Sequence, residues 1–181
     1  MTETASTPIS PPRPGLDPNR LGGNYFKLFS ASTISNLGDG IGVIAYPWLA
    51  SAITRNPLLI AIVAVAQRLP WLLFSLPVGV ITDRYDRRIL MVWANVARAL
   101  LTFFVAFVVL GRQDALPLPD AVSDATTVIT TDTGLYLLVL LATMLLGIGE
   151  VLYDNSAQTF MPSIVHPDRL EKANGRLWSV E

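Results

Sequence analysis

The chain has 181 residues, of which 51% are hydrophobic and 15% charged, and its formal net charge is -1. A soluble domain carries roughly 25% charged residues, so this composition points to an integral membrane protein, and the near-neutral charge argues against nucleic acid as a partner. With no cysteine, disulfides, thiol catalysis and thiolate metal sites are excluded, and the single histidine, His166, sits beside Pro167 and makes no metal centre alone.

Residues 1–24 hold Pro8, Pro11, Pro12, Pro14 and Pro18 and lack the apolar run of a signal peptide. They read as a disordered cytoplasmic tail. Four stretches then have the length and apolar content of bilayer crossings, at about 25–52, 57–80, 89–110 and 134–157. The link between the first two is a few residues around Asn56-Pro57, so those spans are expected to run antiparallel. Between the second and third lies Gly79-Val-Ile-Thr-Asp83-Arg84-Tyr85-Asp86-Arg87-Arg88, five charges in six residues at its end, expected to form a tight turn at a water interface. A Thr- and Asp-rich loop, 111–133, separates the third and fourth. After the fourth, a Pro-punctuated connector leads to Asp168, a candidate cap for a fifth helix that begins near Arg169 and is still running at Glu181. The chain so read is an all-α membrane protein with four transmembrane helices and the start of a fifth.

Orientation follows from the basic residues. Nine lie on one side: Arg13, Arg20, Lys27, Arg84, Arg87, Arg88, Arg169, Lys172 and Arg176. Only Arg55 and Arg112 lie on the other. This distribution puts the N-terminus in the cytoplasm of a multi-pass protein of the plasma (inner) membrane. Arg68 and Arg98 fall inside spans.

Ionisable groups at membrane depth are costly and usually face a bundle interior or a cavity. Ser32, Ser35, Asn36 and Asp39 recur at helical spacing on the first span, Asn95, Arg98 and Thr102 on the third, and Thr143, Gly147, Glu150, Asp154 and Gln158 on the fourth. Gln67 and Arg68 sit midway along the second. One reading is structural: Asp39 and Glu150 pair with Arg68 and Arg98. The other is that Asp39 or Glu150, with Asn36, Arg68 and Arg98, binds substrate or carries a proton. Gly38 and Gly42 form a small-xxx-small pair that would admit another helix. Pro47, Pro70 and Pro77 read mainly as shape, and the aromatic residues at span ends as interfacial anchors. No nucleotide-binding loop and no nucleophile-base-acid set is present, so neither an enzyme nor a cofactor is implied.

Gly79, Asp83, Arg84, Arg87 and Arg88 resemble the G-x-x-x-D-R-x-G-R-R motif between the second and third spans of the major facilitator superfamily, with Asp86 where that motif has its second glycine. Asn36-Leu37-Gly38-Asp39, Pro47-Trp48-Leu49, Met161-Pro162-Ser163-Ile164-Val165, Arg169-Leu170 and Ala173-Asn174-Gly175 resemble its efflux branch, which includes enterobactin exporters and macrolide efflux proteins. An arginine common in that superfamily's fourth span is absent from Leu140 to Glu150. The resemblance implies the N-terminal part of a twelve-span bundle and a secondary active, proton-coupled exporter of a small organic compound, siderophore-like or drug-like. Its partners would be the lipid bilayer, the small-molecule substrate and a C-terminal half of the transporter. It also implies a gating role for Gly79, Asp83, Arg84, Arg87 and Arg88, with Asp83 meeting a helix of that other half and Arg87 pairing with Asp154. The rival readings are a self-contained four-span scaffold or partner subunit, and an importer of the same fold.

Overall fold

The computed structural model describes residues 21–112 and 131–179. Five α-helices follow in order: α1 Gly23–Ile53, α2 Pro57–Arg84, α3 Arg87–Leu110, α4 Thr133–Phe160 and α5 Leu170–Trp178, with single 3-10 turns at Met161–Ser163 and Pro167–Arg169 between the last two. No strand occurs among the described residues. The helix α2, the helix α3 and the stretch from Thr133 to Ser163 are each long and apolar enough to cross a membrane. Their outward side chains are apolar too: Leu76 is 84% exposed and Phe107 79%. In water those faces would be a liability, whereas lipid covers them at no cost. The helix α1 matches them in length, but Ser32, Ser35, Asn36 and Asp39 make its middle less apolar.

Helix α4 is the centre of the bundle. It packs along both α2 and α3, while α1 leans on α2 and α4 and scarcely touches α3. Ten residues of α4 are buried, against three of α3. They recur at Leu135, Tyr136, Val139, Ala142, Thr143, Gly147 and Val151, the three-to-four spacing of one helical stripe. The apolar packing forms two separate clusters. One joins the ends of α1 and the beginnings of α2 and α4 through Ala50, Ile53, Val63, Leu135, Tyr136 and Val139. The other joins the opposite ends, with Tyr25, Leu28, Met91, Ala94, Tyr153 and Ala157 packed under Val165, Ala173 and Leu177. Between the clusters the bundle is held by polar contacts. The buried hydroxyls of Ser32 and Tyr153 share a hydrogen bond of 3.1 Å, and Gln67 Nε2 donates to the Gly42 carbonyl at 3.0 Å.

Side-chain caps set the helix starts. Asn56 accepts from the Leu58 amide ahead of Pro57 at the first helical turn, the combination that suits an N-terminus. Asp86 caps α3 by accepting from the amides of Arg88 and Ile89, at 2.9 and 3.3 Å. Asp132 caps α4 by accepting from the Leu135 amide at 3.0 Å.

Several expectations change. The charged knot is almost entirely helical: α2 runs through Arg84 and α3 starts at Arg87, leaving only Tyr85 and Asp86 outside. The Asp86 cap makes so short a break possible, and its φ of -63° needs no glycine. At the fifth helix, the side-chain cap is His166 rather than Asp168. His166 Nδ1 accepts from the Asp168 amide at 3.4 Å and starts a 3-10 turn, so α5 begins at Leu170. Among the described residues that helix runs to Trp178, where the Ser179 amide bonds back to the Arg176 carbonyl, and Glu181 lies outside them. No helix packs on the Gly38–Gly42 pair among the described residues: a β-carbon at Gly38 would meet nothing within 4 Å, and one at Gly42 only Tyr46 of its own helix. The close approaches are instead on α4. A β-carbon at Gly147 would lie 2.8 Å from Pro70 Cγ, and one at Gly149 2.6 Å from Arg98 Cγ. The proline-rich tail falls largely on residues 1–20, outside the described residues, although Leu21 already packs against the core. Most of the loop 111–133 also lies outside them.

Asp132 does double duty at the foot of α4, because its second oxygen accepts from Arg112 Nη1 at 2.6 Å. The Leu135 amide first, and Arg112 with it, holds the Asp132 carboxyl below its ordinary value of 3.8. A lowered folded pKa gives stability that is fully present above the ordinary value and is lost as pH falls through the folded one. The protein with Asp132→Ala should therefore unfold at a lower temperature than wild type at pH 7, and the difference should shrink as the pH is taken below about 3.8. Thermal unfolding in detergent across that pH range measures it.

Candidate functional site

Between the two apolar clusters, at mid-height of the bundle, lies a cavity of about 580 Å³ whose walls come from all four long helices. That volume is within the roughly 300–1,000 Å³ of small-molecule sites. The helix α1 contributes Ser35 and Asp39, α2 Gln67 and Arg68, α3 Asn95, Arg98 and Thr102, and α4 Thr143 and Glu150. Most of the polar stripes expected from spacing thus converge on one space. Asn36 and Asp154 do not line it, though both have interaction partners.

The main contact across the cavity is an ion pair between Arg98 and Asp39, with side chains only 13% and 21% exposed. Arg98 Nη1 also donates to Ser35 Oγ at 3.0 Å. Ser35 and Asp39 are four residues apart and therefore on one face of α1, so a single guanidinium grips two successive turns of that helix. Glu150 and Asp154, one turn apart on α4, also lie close enough to act on the Arg98 charge. Arg98 Nε is buried and unpaired. Of the pairings expected for these ions, Arg98 with Asp39 is the one formed as an ion pair. Among the described residues, neither Arg68 nor Glu150 makes a hydrogen bond or ion pair.

The charged motif lies away from the cavity, at the ends of α2 and α3 beside the last turn of α4. Arg87 Nη1 donates to the Thr159 carbonyl at 3.0 Å, further along α4 than Asp154. A cation at a helix C-terminus complements its unpaired carbonyls. Arg87 also approaches Asp83 at 3.7 Å, one turn back. Asp83 is 73% exposed at its side chain, so its carboxylate is open to a further donor. Gly79 supplies the carbonyl that the buried Thr82 hydroxyl bonds, at 2.8 Å. Arg84 stands in the last turn of α2 and Arg88 in the first turn of α3.

Spacing alone did not reveal Gly149. A β-carbon there would lie 2.6 and 2.8 Å from Cγ and Cδ of Arg98, with the Ala94 carbonyl next at 3.8 Å. The bare backbone of α4 is the bed on which the Arg98 stem lies on its way to α1. Gly149→Ala should displace that stem, lowering stability by about 1–3 kcal/mol, as overpacking does. On an Arg98→Ala background the obstructing atoms are gone, so the same change should add less than about 0.5 kcal/mol. A double-mutant cycle on thermal unfolding decides it, and additive effects would show that Gly149 acts elsewhere.

The sequence model of the family described as transmembrane secretion effector, a major facilitator type, fits residues 21–180. No curated protein and no solved structure matches the chain. The fit takes in all five helices and both the cavity and the charged motif, and the chain belongs to the transmembrane secretion effector family of major facilitator transporters.

Proposed function

We propose that the chain is part of a secondary active exporter of a small organic compound, siderophore-like or drug-like, driven by protons. It would sit in the plasma (inner) membrane with its N-terminus in the cytoplasm, in the orientation the nine basic residues favour. The observation that carries this reading is the mid-height cavity lined by Asp39, Arg98, Glu150 and Arg68. Ions at that depth are costly to keep, and their place in such a protein is a substrate or ion pathway. Asp39 and Glu150 are the acids placed to take a proton or a substrate cation. Asn36, on the same helix as Asp39, lies outside the cavity wall.

In this reading the charged motif is the gate. Arg87 ties the α2–α3 junction to α4 at the Thr159 carbonyl, with Asp154 a turn nearer the cavity. The exposed Asp83 carboxylate then faces the half of the transporter that this chain does not include, where a helix N-terminus would be its natural partner. The substrate would be reached by rocking the two halves about the cavity, with the gate closed in the outward-facing state.

The test uses cells expressing the full-length protein and a panel of siderophores, macrolides and lipophilic dyes. Wild type should lower the accumulation of at least one compound. Asp83→Asn should cut that export about tenfold with an unchanged amount of protein in the membrane. Export at the wild-type rate would end the gating role, and no change in accumulation for any compound with wild type would end the exporter reading.

A further inference from the structure

The charges around the cavity do not balance each other evenly. Four charged side chains line it, two acids and two guanidinium groups. Arg98 and Asp39 satisfy one another across the space. What remains is an exposed Arg68 on α2 and a half-buried Glu150 on α4, neither with a hydrogen bond or ion pair among the described residues, although Glu150 lies within reach of the Arg98 charge. They leave their helices near one level. The contact of α2 and α4 is fixed where Gly147 meets the Gln67 carbonyl and Pro70, at 3.0 and 2.8 Å from a β-carbon built on the glycine. Arg68 is the residue after Gln67, and Glu150 is three residues from Gly147, a rise of about 4.5 Å. An anion site and a cation site therefore border the same cavity within about one helical turn of the same crossing.

We infer that the ligand of this cavity is a zwitterion with an apolar body, a compound that presents an anion to Arg68 and a cation to Glu150. This deepens the exporter reading and rests on it for the consequence of binding. A ligand with one charge would answer only one of these two side chains and leave the other without a bonded partner at membrane depth, where ions are costly. A ligand with both charges answers both side chains and enters as a net-neutral molecule. The remaining walls fit its body: Ile34, Ile41 and Leu146 are apolar, while Asn95 and Thr102 offer neutral hydrogen-bonding groups.

Three probes of nearly equal shape test this on the full-length protein purified in detergent. They are the dipeptide phenylalanyl-leucine, a zwitterion; its methyl ester, which keeps only the cation; and its N-acetyl derivative, which keeps only the anion. The dipeptide should bind at least tenfold more tightly than either derivative. Arg68→Gln should bring the dipeptide down to the level of the ester and leave the ester unchanged. Glu150→Gln should bring it down to the level of the N-acetyl form and leave that form unchanged. The inference is overturned if the dipeptide does not bind, if either derivative binds as well as the dipeptide, or if both substitutions weaken all three probes alike. Export measured in parallel separates the two claims. Export of other compounds without preferential dipeptide binding leaves the exporter reading standing and this one fallen. Charge-selective dipeptide binding without export of any compound does the reverse.

Discussion

A guanidinium at the middle of a membrane bundle needs an anion, and Arg98 finds one on a different helix. The rest of the arrangement depends on that fact. Helices α1 and α3 scarcely pack against each other, yet Arg98 spans the gap to Asp39 and Ser35. The ion pair lets α1 stand off far enough to leave a cavity of about 580 Å³ behind it while remaining part of the bundle. Removing either charge would leave the other without its bonded partner, which is costlier than never having had the pair.

The surrounding structure serves this bridge. Two apolar clusters close the bundle at its ends, so the middle is free to be polar. The helix α4 supplies backbone where other positions would supply side chains: Gly147 lets α2 approach, and Gly149 gives the Arg98 stem room to cross. The charged motif stands at one end of the same helices, where Arg87 binds the last turn of α4. A movement of α4 would thus be felt at both the cavity and the charged motif, because both Arg87 and Arg98 of α3 rest on it.

Much of this was legible in the sequence. Long apolar runs mark helices of membrane length whatever their partners, and polar residues at three-to-four spacing on Asp39, Arg98 and Glu150 mark one face each. Convergence of those faces on a shared space follows because ions avoid lipid. Which ion pairs with which did not follow, since Arg68 and Arg98 are alike in sequence and differ in the helix that carries them and in burial. Nor did the role of the glycines. The obvious Gly38–Gly42 pair on α1 faces the cavity, while the working pair on α4 is Gly147 and Gly149, visible only when the neighbours are in place. The tight turn was legible and falls at Tyr85 and Asp86, whereas the cap of the fifth helix was misjudged. A polar residue next to a helix can cap it or sit within it, and local geometry chooses: Asp86 caps α3, while at the fifth helix His166 takes the place expected of Asp168.

The central claim is that Arg98 and Asp39 stabilise the bundle as a pair rather than as separate contacts. Thermal unfolding of Asp39→Asn, Arg98→Gln and the double variant tests it most directly. Each single change should cost about 3–5 kcal/mol, the effect of an uncompensated buried charge, and the double variant should recover most of that loss. A double variant that loses the sum of the two single effects would contradict the account.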